Sequence, residues 1–471
     1  MDNQSSLQKL PSVEKVLGDA RISSRVSPGS RKGVARIVRE KIAKHREKLR
    51  RGKSRVTDRG SAHETIVGEI LEELDSLARD RQRRVINATG VVLHTNLGRA
   101  VLGDDVRAAI DMAAGGYSDL EIDLASGKRV ERGRRVTRLL SLITGAEDAV
   151  VMNNNAAAIL LAVRTIAAAG AVAISRGELV EIGGSFRLPE ILASAAGEVI
   201  EVGTTNRTHL KDYERAIGAG ARLLLKVHTS NYRIVGYTNE VPLRELAELG
   251  RRSRVPVMYD QGSGVLYPLH LSGVGGEECI EDVLSSGVDL VSFSTDKVLG
   301  GPQGGALIGR ARLIKKMREN HLSRALRLDK LTLAGLERVL LQYWEGTYDG
   351  IPALRMITES VESVRSRAER LAERIGRRAA GGCRVSVEDS ESSIGGGSFP
   401  INPLPTSVVR ITVAAGSADR LSRALRAATP AVMVRVKGNA VIVDPRTVLE
   451  DEENLLIEKL GEALAIVLRR E

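Results

Sequence analysis

The sequence predicts an α/β protein: a mainly parallel sheet covered on both faces by helices, preceded by a helical basic N-terminal domain and followed by a smaller α+β domain. Three observations carry this expectation. Between residues 149 and 309 short apolar runs alternate with amphipathic or alanine-rich stretches, the succession that builds a parallel sheet. Ahead of residue 80 the chain is polar, helical in period and rich in Lys and Arg. Beyond residue 346 a long helical stretch gives way to a second set of alternating runs.

The elements follow in order. Residues 1–80 are assigned to the N-terminal domain and its linker. Pro28-Gly29-Ser30 breaks this segment, and "RGKSRVTDRGS" reads as a loop or hinge. Between these breaks Val34, Ile37, Val38, Ile42 and Leu49 form a rough helical stripe with basic flanks. Residues 81–345 form the large α/β domain. Its strands are expected at "AVVMN" (149–153), "AVAIS" (171–175), "EVIEVG" (198–203), "RLLLKVH" (222–228), "VPVMYD" (255–260), "VDLVSFS" (288–294) and "GALIG" (305–309). The helical "LERVLLQYW" closes it. Residues 346–471 begin with the helical "ALRMITESVESVRSRAERLAERI". They continue through "CRVSVED", "SVVRITVAA" and "AVMVRVKGNAVIVDP" to a final helix from about Asn454.

Composition narrows the class. A chain of 471 residues exceeds one compact core. Hydrophobic residues are 42% and charged residues 27%, a soluble globular balance, and with aromatics at 3% the core must be aliphatic. Cys279 and Cys383 build neither a disulfide framework nor a metal cluster. The N-terminus lacks the apolar run of a signal peptide, and no apolar stretch has membrane-spanning length, so a cytoplasmic protein is expected. From Arg31 to Arg59 thirteen Lys and Arg stand against three acids, nearly the whole formal net charge of +11. Such a run is either a solvated tail or helix face, or a nucleic-acid contact.

The chemistry concentrates at the expected strand ends, where open α/β sheets bind ligands. Asn153, Asn154 and Asn155 follow "AVVM" and precede a helix. They are either an ordinary N-cap or the entrance to an anion site on the helix N-terminus. Asp260 ends "VPVMY" and opens "DQGSG". Its carboxylate can pair with a protonated ring nitrogen or cap a turn. Lys297 follows "VDLVSFS" and precedes "VLGGPQGG". A lysine is commonly a solvated surface charge. This one is hemmed in by an apolar strand and a glycine-rich loop, and desolvation there makes it a usable amine nucleophile. The set, in this order, is that of a pyridoxal phosphate enzyme: phosphate on the helix start, acid on the pyridinium nitrogen, lysine as Schiff base. Neither G-x-G-x-x-G nor GxxxxGK[ST] is present.

With these motifs in place the chain resembles the bacterial selenocysteine synthases, the L-seryl-tRNA(Sec) selenium transferase family. The matching runs are "LPSVEKVLGD", "RRVINATGVVLHTNLGRA", "NNNAAAILL", "SRGELVEIGGSFRLPEI", "EVGTTNRTHLKDYERAI", "LLLKVHTSNYRIVGYT", "FSTDKVLGGPQGG", "RALRLDKLTL" and "GGGSFP". They span nearly the full chain. Thr295, Gln261, His321 and the run "GKRVERGRR" depart from the family pattern.

The resemblance implies an aspartate-aminotransferase-type fold (fold type I), pyridoxal 5'-phosphate as cofactor and active sites at a subunit interface. It also implies a homo-oligomer, a pentamer of dimers. It makes Lys297 the lysine that carries the cofactor, with Asp260, Asn154, Asn155 and Ser294 as cofactor-binding residues. Asp296, Thr204 and Thr205 are assigned to catalysis beside Lys297. The implied partners are seryl-tRNA(Sec) and selenophosphate, with no DNA and no membrane. The implied reaction removes the serine β-hydroxyl, passes through a dehydroalanyl intermediate and adds selenium. Because the α-carboxylate is esterified, Arg99, Arg324 and Arg327 are free to hold the tetrahedral anionic donor. From spacing alone Arg324 and Arg327 would instead read as (i, i+3) ion-pairing residues on a helix surface. His228, Asn231 and Tyr232 fall at strand ends or loops; His228 reads either as a cofactor neighbour or as a core histidine.

Two other readings compete. A relative with the same cofactor could eliminate from a small amino acid or an aminated sugar-acid phosphate, but it would not need "RKGVARIVREKIAKHREKLRRGKSR". An RNA-binding protein with a retired cofactor site would tolerate loss of Lys297, which this chain keeps.

Overall fold

The computed structural model describes residues 7–51, 58–79, 82–182, 186–229, 231–378, 382–398, 403–414 and 417–468. The loop expected over "RGKSRVTDRGS" lies largely outside them. Two compact units result, Met1–Arg84 and Val85–Glu471.

In the first unit, helices Val13–Leu17, Ala20–Ser23, Arg31–Arg50 and Arg59–Arg79 surround a small aliphatic core. Ser12 and Asp19 cap the first two through their side chains. Helix Arg31–Arg50 buries Val34, Val38 and Ile42 against Val16, Ile22, Ile66, Val67 and Ile70. Each such side chain contributes about 1.5–3 kcal/mol on burial. The opposite face leaves Arg31, Lys32, Arg36, Arg39, Lys44, Arg46 and Lys48 exposed. Lys41 is drawn instead to Glu73, at 2.7 Å.

The second unit carries fifteen strands among its described residues. They are β1 (Val85–Ala88), β2 (Val91–Leu93), β3 (Asp148–Met152), β4 (Ala171–Ser175), β5 (Glu181–Ile182), β6 (Phe186–Arg187), β7 (Glu198–Val202), β8 (Ala221–Val227), β9 (Val257–Gly262), β10 (Leu290–Ser294), β11 (Gly305–Gly309), β12 (Arg384–Gly395), β13 (Leu404–Thr412), β14 (Ala431–Lys437) and β15 (Ala440–Val443). The large sheet has the order β3-β11-β10-β9-β8-β4-β7. Only β11 runs antiparallel to its neighbours. Its seven strands are those expected from the sequence, each within two or three residues. Helices cover both faces, giving two aliphatic cores. Among the described residues no helix is long and apolar enough to cross a membrane.

The six-stranded sheet has the order β1-β14-β15-β13-β12-β2. Here the sequence expectation needs a correction. The sequence pattern groups residues 81–345 as one domain, yet β1 pairs in parallel with β14 and β2 with β12. The first strands of that stretch therefore belong to the C-terminal sheet. The helical stretch from Ala353 to Ile375 is likewise two helices, Pro352–Thr358 and Val361–Arg378. Buried Arg446 donates to the carbonyls of Met356 and Glu359, at 2.8 and 2.9 Å. Carbonyls held this way accept a side chain at the point where one helix stops.

Candidate active site

Parallel strands that end side by side put their last residues together. The pairing sets Ser292 opposite Asp260 on β10 and β9, and Val227 opposite Asp260 on β8 and β9. Asp260 is buried, and it accepts hydrogen bonds from Asn155 Nδ2 (2.7 Å) and Ser292 Oγ (3.1 Å). Burial pushes its carboxyl up from the ordinary range, opposed by Asn155, by the positive charge of Lys297, by Ser292 and by His228.

Lys297 follows β10 and is 4% exposed. Burial pushes its ammonium down, and the nearby Arg99 adds to this; Asp260, Glu277 and Asp296 oppose it. The glycine-rich stretch folds back over it. Thr295 N–H donates to Gly304 O (2.9 Å), Gly301 N–H to Thr295 O (2.8 Å) and Gly300 N–H to Lys297 O (2.9 Å). Thr295 also donates its hydroxyl to Pro302 O at 2.5 Å, which fixes this turn at a position where the family pattern differs. A Cβ on Gly262 would lie 3.8 Å from Lys297 Nζ, so the amine lies against the end of β9. Gln261, another departure, accepts from Gly264 and Val265 N–H and donates to Glu278 O, thereby shaping the following loop.

Asn154 is the N-cap of helix Asn155–Ile166, its side chain accepting from Ala157 N–H at 2.9 Å. The cap and the site entrance are thus one feature: Asn154 closes the helix start, and Asn155 reaches Asp260. Asn155 Oδ1 stays buried without a partner. The Asn154–Asn155 backbone approaches β11 so closely that a Cβ on Gly305 would fall 2.7 Å from Asn155 N and nearer still to the Asn154 carbonyl. Asn153 N–H donates to Leu326 O at 2.9 Å. Ser294 is buried at the end of β10, opposite Gly305.

Asp296 is buried and accepts from Arg99 Nη1 at 2.8 Å. Arg99 sits in the left-handed region, φ 64°, directly after Gly98 at φ 94°. This turn carries the guanidinium to Asp296 at a small backbone cost. Arg324 and Arg327 are at the end of helix His321–Leu326, and the Arg327 backbone bridges to Met152 at the end of β3. Arg327 Nη1 is 3.8 Å from Glu121, and both arginines line a cleft with Arg129, Arg132 and Arg318. No hydrogen bond or ion pair joins their side chains to the Lys297 group among the described residues. Thr204 and Thr205 are exposed in the turn after β7, where Thr204 Oγ1 donates to Arg207 O at 3.1 Å. They too make no contact with that group among the described residues. Asn231 donates to Glu181 O (2.7 Å), and the Tyr232 hydroxyl donates to Gly177 O.

Three participants escaped sequence reasoning. Ser292 is one; its only signal was a second serine two positions before Ser294. Glu277 is another, with a side chain 2% exposed. It accepts from Ser263 Oγ, and its Oε1 is 3.3 Å from His228 Nε2. Glu178 is the third. It accepts from Val227 N–H (2.8 Å) and Lys226 Nζ (3.2 Å), and so fixes the end of β8. Glu277 lies in a loop and Glu178 in the short 3-10 turn Arg176–Glu178 after β4, so only the fold reveals them.

The family model for L-seryl-tRNA selenium transferase matches residues 85–449. An L-seryl-tRNA(Sec) selenium transferase of Moorella thermoacetica is 44% identical over 466 residues, 98% of each chain. The chain belongs to the L-seryl-tRNA(Sec) selenium transferase family. A further family relative, from Solidesulfovibrio magneticus, is 46% identical over 405 residues, 85% of this chain and 86% of that one. The family is one of pyridoxal phosphate-dependent transferases. Among solved structures, a D-glucosaminate-6-phosphate ammonia-lyase superposes with a TM-score of 0.59 at 22% identity, covering 83% of this chain and 98% of that chain. This likeness establishes the fold-type-I architecture.

The residues present fit the family's cofactor. A desolvated amine, a buried carboxylate with a hydrogen-bonded partner, a helix start and a buried acceptor without a partner converge at one sheet end.

Proposed function

We propose that this chain converts seryl-tRNA(Sec) to selenocysteinyl-tRNA(Sec), with selenophosphate as donor and through a dehydroalanyl ester of the tRNA. The observation that carries this is the Asn155–Asp260–Lys297 assembly at the carboxyl end of the large sheet, in a chain of this family. Pyridoxal phosphate bound there supplies the electron sink for breaking the Cα–H bond.

The chain's own residues do the rest. Asp260, oriented by Asn155 and Ser292, pairs with a protonated ring nitrogen, the cation that its burial calls for. The N-terminus of helix Asn155–Ile166 receives the phosphate. Lys297 would carry the cofactor, and its amine, desolvated by burial, takes the Cα proton. Arg99, held by Asp296, is the donor-binding group nearest to Lys297, with Arg324 and Arg327 contributing further guanidinium forks. The exposed basic face of helix Arg31–Arg50 holds the tRNA backbone. The protein works in the cytoplasm as a homo-oligomer of dimers at least, expected as a pentamer of dimers. Exposed Met112, Tyr117 and Leu124 beside a cavity of about 730 Å³ support self-association.

A small-molecule eliminase is the weaker reading. The family relative from Moorella thermoacetica matches over 98% of this chain, so the basic first unit falls within the match. The test is incubation with seryl-tRNA(Sec), free serine or an aminated sugar-acid phosphate, each with selenophosphate. Turnover of either small molecule, with the tRNA ester untouched, would overturn the proposal.

A further inference from the structure

Loss of the serine hydroxyl has a requirement that the residues discussed so far do not meet. Hydroxide is a poor leaving group, so its oxygen needs a proton as the Cβ–O bond breaks. Asp296 is not available to supply it, because its carboxylate is held by the Arg99 guanidinium at 2.8 Å. Thr204 spends its hydroxyl on Arg207 O in an exposed turn.

One titratable pair at the site is left without a role. His228 follows β8, and its backbone N–H donates to Asp260 O at 2.9 Å, which fixes it beside the acid. Its Nε2 is buried 3.3 Å from Glu277 Oε1, within ion-pair range but without a made hydrogen bond, and Nε2 has no other hydrogen-bond partner. The Glu277 side chain is 2% exposed and that of His228 is 21% exposed, and with Nε2 itself buried the exposed part of the His228 side chain lies away from that nitrogen. Glu277 is anchored by Ser263 Oγ, and Ser263 O accepts from Val298 N–H at 3.0 Å. The pair is therefore tied to the residues flanking Lys297 on one side and to Asp260 on the other. An imidazole oriented by a buried carboxylate can hold and deliver a proton, and such bonds are often misaligned before substrate binds.

Resting on the proposed reaction, we infer that His228 is the general acid for departure of the β-hydroxyl and that Glu277 positions its ring. The Cβ–O electron pair leaves with oxygen, the oxygen takes the His228 proton, and water departs. Lys297 takes the Cα proton, and its return to His228 closes the cycle. Seryl ester becomes dehydroalanyl ester plus water, with no oxidant or reductant.

The experiment compares two esters of the same tRNA on the full-length, cofactor-loaded protein. One carries serine. The other carries β-chloroalanine, whose chloride leaves without protonation. His228→Gln should slow elimination from the seryl ester by about 10²–10⁴-fold. It should leave elimination from the β-chloroalanyl ester near the wild-type rate, with visible cofactor absorbance unchanged. Glu277→Gln should show the same selectivity at smaller amplitude. Equal loss on both esters would mean a structural role, and no loss on either would mean no role; each result overturns the assignment. A wild-type protein that eliminates from neither ester would instead overturn the proposed reaction, and this inference with it.

Discussion

Replacing Gly305 by alanine tests whether the cofactor cradle depends on a close backbone approach. The new Cβ would sit 2.7 Å from Asn155 N and closer to the Asn154 carbonyl, whereas real Cβ atoms stay beyond 3.0 Å. Gly305 is paired on both sides, with Ser294 and Met152, so β11 is held. The helix start must then retreat, by ~1 Å merely to leave the forbidden range. Asn155 Nδ2 moves with it. Its 2.7 Å bond to Asp260 would stretch to ~3.6 Å, past the hydrogen-bond range. A lost bond to a charged group costs about 1.5–3 kcal/mol, and the overpacking about 1–3 kcal/mol. Gly305→Ala should therefore lower the Tm and weaken pyridoxal phosphate binding by roughly 10–100-fold. Titration of visible cofactor absorbance and a thermal melt read both effects. Wild-type affinity together with an unchanged melt would refute the reasoning.

Further outcomes follow from the same geometry. Borohydride should fix pyridoxal phosphate to Lys297 alone, and Lys297→Ala should abolish the fixation; a labelled peptide from elsewhere contradicts the assignment. Arg99→Met removes a cation that depresses the Lys297 ammonium and frees Asp296, and both changes raise its pKa. Since the free amine binds the cofactor, the onset of binding should move to higher pH, and a shift to lower pH would be the wrong sign. Arg324→Ala or Arg327→Ala should impair selenium transfer more than dehydroalanyl formation, as read by quenched single turnovers, and lysine should rescue poorly. Deleting residues 1–84 should weaken tRNA binding and flatten its salt dependence, whose log–log slope is about −0.7 to −0.9 per phosphate neutralised. Cofactor absorbance should survive the deletion, and an unchanged slope would reduce the basic segment to a solvated tail.

What the sequence disclosed and what it hid have separate physical causes. The inner strands of the large sheet are largely buried on both faces and read as apolar runs, so β4 and β8–β11 are visible from local pattern alone, and the edge strands β3 and β7 keep a shorter apolar signal. Lys297 and Asp260 were visible because strand ends are where such sheets bind ligands. Residues 85–93 fall within the stretch read as the large domain, because pairing of β1 with β14 joins segments more than 340 residues apart, and no local pattern encodes that. Glu277 and Glu178 were missed for a related reason. A carboxylate in a loop or a short 3-10 turn looks solvated in sequence, and only the fold shows that it is buried against His228 or the end of β8. Arg324 and Arg327 were legible only through a motif: spacing reads as a helix-surface ion pair, and the fold sets both along one cleft, with Arg327 near Glu121.

The most direct measurement incubates the full-length protein, loaded with pyridoxal phosphate, with seryl-tRNA(Sec) and selenophosphate. The amino acid is then released from the tRNA by mild alkali and identified by mass spectrometry. The account predicts selenocysteine from the wild-type chain and unchanged serine from Lys297→Ala. Serine recovered intact from the loaded wild-type protein, with the donor present and the tRNA bound, would contradict it.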